Sequence, residues 1–283
     1  MASYYTSRGL PVPRELQRGA LTDWRRLSVV AGTILVLAIG LRITDIDTSR
    51  ASLDYAGGIV LQLLQFDFSV LGPQFEGETF WDGALGLMIV TIFLGIVATA
   101  FAIVAALPLS FLGARNIMTG NPITAAIYAI VRLVFTIIRS IDVLIVAIIA
   151  AVIFGLGSAA GVFALAFHNI GVLGKLYSEA VEGIDPGPLE AITATGASRF
   201  QVIWTAVLPQ IVNPFVSFTI YRLDANVRLA NILGLVGGGG IGLLLFQTIQ
   251  LLQYHKAGTI IFLIIVTVAA MDFVSAQIRK RLD

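Results

Sequence analysis

Six ionisable residues interrupt runs that are otherwise apolar: Arg132, Arg139 and Asp142 in one stretch, and Arg222, Asp224 and Arg228 in another. A charge in such surroundings is costly in lipid, so it faces a cavity or a partner and marks an ion or substrate route by default. Spacing offers a plainer reading for two pairs. Arg139 and Asp142 lie three apart, Asp224 and Arg228 four apart, so each pair can neutralise itself on one helix face. Both readings stand for these pairs. Arg222 differs, because it shares its face with Asn226 and has no local partner. Its planar fork suits phosphate-like oxygens, and it would lie about 20 Å along its helix from Pro209, at ~1.5 Å per residue. A partner on another helix would remove that reading.

Other chemistry is poorly supplied. Gly237 to Gly240 offer a backbone nest for an anion but lack the Lys-Ser/Thr of a nucleotide loop, and read better as a tight re-entrant turn. His168 reads as a packed, hydrogen-bonded histidine and His255, beside Lys256, as an outer-surface residue; neither has metal-ligand company. The chain has no cysteine, which excludes disulfides, thiolate metal sites and cysteine nucleophiles. Asp272 is expected to pair with a basic neighbour such as Arg279 or with a lipid-interface group. No catalytic or metal site emerges, and a membrane enzyme acting on lipid phosphates would need clustered carboxylates or histidines that the sequence does not offer.

The elements that hold these residues are set by composition. Of 283 residues 57% are hydrophobic and 12% charged, and the mean hydropathy is +0.91, so lipid is the solvent for most of the chain. The net charge of +1 gives no footprint for nucleic acid. A span needs roughly 20 mostly apolar helical residues. Six segments qualify: Leu27 to Ile43, Gly83 to Leu112, Ile123 to Phe154, Ala159 to Tyr177, Val207 to Leu233 and Ala257 to Ile278. The first follows Arg25-Arg26 and is too long for a signal peptide, so it reads as an anchor that stays in the membrane.

Arginines and lysines orient the spans, since cytoplasmic loops carry the excess. Arg8, Arg14, Arg18, Arg25 and Arg26 place the N-terminal segment inside, as do Arg115, Arg199, Arg279, Lys280 and Arg281 for later loops and the C-terminus. The loop 44–82 holds Asp45, Asp47, Asp54, Asp67, Glu76 and Glu78 and suits the outer side, with one interfacial helix around Tyr55 to Leu64. The expectation is an all-α polytopic membrane bundle of about six transmembrane helices. Residues 1–26 form a cytoplasmic segment, 27–283 the membrane domain, and 182–206 a cytoplasmic loop. No internal repeat is visible.

That loop has a legible grammar. Asp185 can cap a helix whose first turn holds Pro186 and Pro188, and Glu190 sits near its positive end. Gly196 can end it and Ser198 can cap the next helix. Ile184, Leu189 and Ile192 would offer apolar surface to a partner. Glu190-Ala191, Gly196 and Leu208-Pro209 resemble, in type and spacing, the signature loop of ABC importer permeases (the MetI-like fold), with Ile192 and Ala206 replacing two family residues by other apolar ones. Four further segments narrow the resemblance to phosphonate-type permeases: His168 to Tyr177, Gly183 to Pro188, Tyr221 to Arg228 and Gly234 to Gly242. Arg139-Ser140-Ile141-Asp142 also matches, except that Asp142 stands where relatives carry proline, which leaves the helix kink open.

The resemblance implies a permease subunit for a phosphonate- or phosphate-like oxyanion in a bacterial inner membrane, with both termini cytoplasmic. It implies a homodimer, two ATP-binding subunits holding ATP and Mg, and a periplasmic or lipid-anchored substrate-binding protein, with no cofactor in this chain. Asp185, Leu189, Glu190, Ala191, Gly196, Ala197 and Arg199 would couple to the ATPase. Arg139, Asp142, Arg222, Asn226 and Arg228 are the residues expected along the translocation pathway. An autonomous ion-coupled transporter of a small anion is the alternative; Asp142 could serve as its coupling carboxylate, but inverted repeats are missing.

Overall fold

The computed structural model describes residues 8–9, 19–44, 53–73 and 78–281, with no strand among them. Much of the charge on which the orientation of the first span rests, including Arg14, Arg18, Asp45, Asp47 and Glu76, lies outside the described residues. The chain divides into two units, 1–58 and 59–283.

The first unit is dominated by α1 (Gly19–Ile43), whose described side chains from Leu27 to Ile43 are all exposed. A helix apolar on every side belongs in lipid rather than in water. Helix α2 (Leu53–Leu63) lies where the sequence predicts a short helix in the loop 44–82.

The second unit holds α3 (Ala84–Leu112), α4 (Arg115–Met118), α5 (Pro122–Ser140), α6 (Val143–Phe154) and α7 (Ser158–Glu182). The short α8 (Pro186–Ala194) and α9 (Arg199–Val202) follow, then a π turn (Ile203–Val207), α10 (Leu208–Leu233), α11 (Ile241–Gln250) and α12 (Tyr254–Arg279). Among the described residues six helical stretches are long and apolar enough to cross a membrane, at the six places the hydropathy pattern marks.

One expectation is corrected. The stretch 123–154 is not a single helix: it breaks at Ile141–Asp142, where both residues have extended backbone. Asp142 restarts the helix as an N-cap, its Oδ1 accepting from the Leu144 amide at 2.8 Å. A capping carboxylate offers the backbone an alternative to continuing α5. The break therefore forms without a proline. Arg139 and Asp142 accordingly do not share a helix face, and the self-neutralising pair that their spacing allowed does not form.

Lipid is as apolar as leucine, so close packing rather than burial from water holds such helices together. The main core brings Leu94 and Ala98 of α3, Val146 and Ala147 of α6, Ala164 and Leu165 of α7, and Ala230 and Leu233 of α10 together. Small residues let the backbones approach. At Gly174 of α7 an added Cβ would sit 2.4 Å from the fully buried Phe135 ring of α5, so only glycine fits there. At the end of α10 the glycine run makes a turn, with Gly237, Gly239 and Gly240 at φ of 88°, 75° and 73°. It is held by the Gly157 amide on the Gly237 carbonyl (2.7 Å) and the Ile241 amide on Thr91 Oγ1 (2.9 Å). Just past α2, the Gln65 carbonyl meets His255 Nδ1 of α12 at 3.1 Å.

Candidate functional site: a capped loop and a mid-bundle charge cluster

The loop between α7 and α10 folds as its grammar predicts. Asp185 Oδ1 caps α8, accepting from the Gly187 amide at 2.9 Å. Gly196 closes the helix at φ 79°, a left-handed conformation that a side chain strains. Ser198 and Gln201 then cap reciprocally: the Ser198 amide donates to Gln201 Oε1 (2.8 Å) and the Gln201 amide to Ser198 Oγ (3.4 Å). Gln210 ties the loop to the first turn of α10. Its Oε1 accepts from the Asp185 amide at 2.8 Å, and its Nε2 donates to the Ala206 carbonyl at 2.8 Å. Nothing in the local grammar points to Gln210, because its partner lies 25 residues away.

The apolar surface of the loop differs from expectation. Ile184 and Leu189 pack onto a core of Ala114, Val181, Val207 and Ile211, so they seat α8 on the bundle instead of facing outward. Glu190, Ala191, Thr193 and Ala194 form the exposed side, Ala197 is partly buried, and the side chain of Arg199 lies outside the described residues. Phe200 and Trp204, 73% and 62% exposed, stack with ring centroids 6.3 Å apart beside it.

At this same end of the bundle Arg132 joins three helices. Its Nη2 donates to Glu182 Oε1 at 2.6 Å and its Nε to the Gly113 carbonyl at 2.9 Å, while Glu179 lies 3.6 Å from Nη1. Glu182 Oε1 also accepts from the Arg115 amide at 2.7 Å, and Asn116 Nδ2 donates to the Val181 carbonyl at 2.8 Å. Arg132, which the sequence places among the charges inside apolar runs, thus belongs to a saturated network at the helix ends.

A second cluster lies midway along the helices. Arg222 of α10 directs both Nε and Nη2 at Asn169 Oδ1 of α7, at 2.8 and 2.5 Å. Among the described residues no carboxylate forms an ion pair with Arg222. Asn169 is fully buried and its Nδ2 has no partner among the described residues, and the adjacent His168 has an unpartnered Nδ1. Arg139 stands within electrostatic reach of both Arg222 and His168, and Asp142 within reach of His168. Arg139 and Asp142 are both exposed on this chain. A helix N-terminus, that of α6, opens beside them at the break.

The remaining intramembrane residues turn elsewhere. Asn226 is fully buried against α3, its Nδ2 donating to Thr99 Oγ1 at 2.7 Å. Arg228 pairs with Asp224, as spacing allowed, and lies 3.4 Å from Asp272. Asp272 therefore finds its ion-pair partner on α10, not in Arg279. Among the described residues no group of three or more His, Cys, Asp or Glu is placed to hold a metal ion.

Residues 116–283 match the family of binding-protein-dependent transport system inner membrane components. The phosphite transport system permease protein PtxC of Stutzerimonas stutzeri is 32% identical over 286 residues, covering 99% of each chain. The phosphate-import permease protein PhnE of Mycolicibacterium smegmatis is 42% identical over 192 residues, 68% of this chain; the chain spans 35% of that longer relative. A chain of the inward-facing MetNI methionine ABC transporter superposes with a TM-score of 0.61 at 23% identity, over 71% of this chain and 96% of that one. The fold is therefore that of the ABC importer permeases, and the chain belongs to the family of binding-protein-dependent transport system inner membrane components.

Proposed function

We propose that the chain is the membrane-spanning subunit of an importer for a small phosphorus oxyanion of the phosphonate, phosphate or phosphite type, and that Arg222 and Arg139 meet this anion midway through the membrane. The observation that carries the reading is the electrostatics of the mid-bundle cluster. Arg222 is held there by a neutral acceptor, and Arg139 stands near it with no carboxylate among the described residues closing on it. A half-buried guanidinium with no carboxylate paired to it among the described residues favours an anion that passes. The names of the relatives, phosphite and phosphate permeases, agree in cargo class.

Two copies would build the path. A single chain exposes Arg139 and Asp142 at mid-depth, where exposure to lipid costs about 2.5–3.5 kcal/mol per charge. A second copy across a two-fold axis covers them and sets two pairs of arginines around one route. An apolar groove of about 610 Å³ between Phe101, Phe154, Phe163 and Phe167 gives further surface to bury in assembly.

ATP would be hydrolysed on separate subunits docked against the exposed side of α8, at Glu190, Ala191 and the Gly196 turn, with Asp185 and Ala197 holding the loop. Gln210 carries the loop's motion into α10, the helix that bears Arg222. A binding protein on the opposite face supplies the anion. In this orientation α8 and both chain ends lie in the cytoplasm of a bacterial cell, beneath its inner membrane. Arg228 and Asn226 steady α10 from its other sides.

The test is purification of the chain from its native membrane with its partners, followed by ATP-dependent uptake of radiolabelled phosphate, phosphite and methylphosphonate in proteoliposomes. Co-purification of an ATPase and a binding protein is expected, and Arg222→Ala is expected to cut uptake by about tenfold or more, the loss of one charge-assisted interaction. Equal uptake by Arg222→Ala at equal assembly would overturn the role given to Arg222.

A further inference from the structure

We infer that the Asn169 carboxamide is a stand-in for the transported oxyanion: it occupies the edge of Arg222 that the anion takes in passage and is exchanged for it. The inference rests on the reading that Arg222 meets the anion. Its first support is geometric. Nε and Nη2 form the edge of a guanidinium that grips carboxylates and phosphates through two parallel bonds. Both converge on Asn169 Oδ1, at 2.8 and 2.5 Å, so that edge is filled by a group with the shape of a carboxylate.

The second support is charge. A carboxylate at this position would lock Arg222 in an ion pair that a passing anion could displace only at great cost. An uncharged carboxamide accepts the same two bonds more weakly, and an oxyanion outcompetes it. The third support is what the arrangement sacrifices. Asn169 is fully buried, yet its Nδ2 donates to nothing among the described residues, whereas buried polar groups in settled structures are paired almost without exception. Among the described residues Asn226 and Asn231 each leave a buried side-chain oxygen unpartnered, whereas Asn169 leaves a donor, and leaves it beside Arg222. Here the oxygen is committed to Arg222 and the donor is left over, ready for an oxygen of the incoming anion. His168 Nδ1, on the adjacent residue, is unpartnered too.

Asn169 is thus a positioning residue that acts through Arg222. It keeps the guanidinium oriented when the path is empty and competes with the anion for it, which speeds release. Local spacing carries no sign of this, since the two residues lie 53 positions apart.

The test uses the complete importer in proteoliposomes and whichever of phosphate, phosphite or methylphosphonate gives ATP-dependent uptake. The readout is inhibition of uptake by the same anion loaded inside the vesicles, a property that packing alone does not move. Asn169→Asp, which keeps the shape, is expected to lower uptake by about tenfold or more and to abolish inhibition from inside, because the ion pair shuts the anion out. Asn169→Ala is expected to show inhibition at roughly tenfold lower internal concentration, because nothing competes for Arg222. In an Arg222→Ala background, Asn169→Asp is expected to add nothing. If both Asn169 variants slow uptake equally and leave internal inhibition unchanged, Asn169 only packs, and the inference falls while the role of Arg222 stands. Normal uptake by Arg222→Ala alone removes that role and the inference with it.

Discussion

Arg132 and Arg222 are both arginines that reach from a neighbouring helix to α7, and their surroundings are opposite. Arg132 meets Glu182, the Gly113 carbonyl and, more distantly, Glu179, and Glu182 is bonded again to the Arg115 amide. Arg222 meets one neutral oxygen, beside two buried polar atoms that meet nothing among the described residues. A saturated network resists change, since removing any partner strands another group. An unsaturated one is poised to accept a further group. The same residue type thus builds a fastening at the helix ends and, in our proposal, a place of exchange in the middle, and the satisfaction of the neighbours tells them apart.

The widest separation between the two should come from truncating each arginine. Arg132→Ala takes from Glu182, whose side chain is 27% exposed, its cationic partner and leaves it the Arg115 amide, and is expected to cost about 2 kcal/mol, below a fully buried pair because solvent reaches it. Arg222→Ala is expected to change stability by less than about 1 kcal/mol, because relief from a half-buried charge with no paired carboxylate offsets the missing hydrogen bonds to Asn169, while transport collapses. Thermal unfolding in detergent beside uptake in vesicles checks both. A destabilised Arg222→Ala with an unaffected Arg132→Ala would invert the contrast.

A smaller effect probes how the fastened end passes motion on. Asp185→Ala removes the cap of α8 and should cost about 1 kcal/mol, whereas Asp185→Asn, an equally good cap, should cost little. Ligand-stimulated ATPase activity should fall in the first variant and persist in the second. Equal activity in both would show that the cap does not matter for coupling.

The smallest effect lies outside the membrane. The Ser69 hydroxyl and amide hold the Asp67 carboxyl below its usual range, and the Thr79 amide and hydroxyl do so for the exposed Asp82. Both folded-state values are depressed, so the stabilisation is complete above the unfolded value of ~3.9 and is lost as pH falls through it toward the folded values. The turns at 67–71 and 79–83 should therefore loosen first on acidification below about pH 4, seen as faster amide exchange there than in α3. Uniform protection across that range would remove the assignment.

What can be read from sequence is local. The caps of α8, the glycine at its end and the positions of the spans follow from residues within a few places of one another, and so does the Asp224–Arg228 pair. What cannot be read needs the third dimension. Hydropathy runs unbroken across Ile141 and Asp142, although Asp142 is a capping residue inside it. Arg132 counts as a charge within a span until the fold brings in Glu182 from 50 residues away. Leu189 looks like partner surface until the core it seats into is assembled from α7, α10 and the turns around them. Arg222 is legible as unusual, but its partner is not.

The π turn at Ile203–Val207 sets a rule of phase. A π turn carries one residue more than an α-turn, and one residue is about 100° of helical rotation. The turn lies between the loop that carries α8 and the helix that carries Arg222. Deleting a single residue there would leave both parts intact, yet turn one against the other by more than a quarter circle. Length in this short stretch therefore matters as much as identity does, since it fixes which way α10 faces relative to the loop that carries α8.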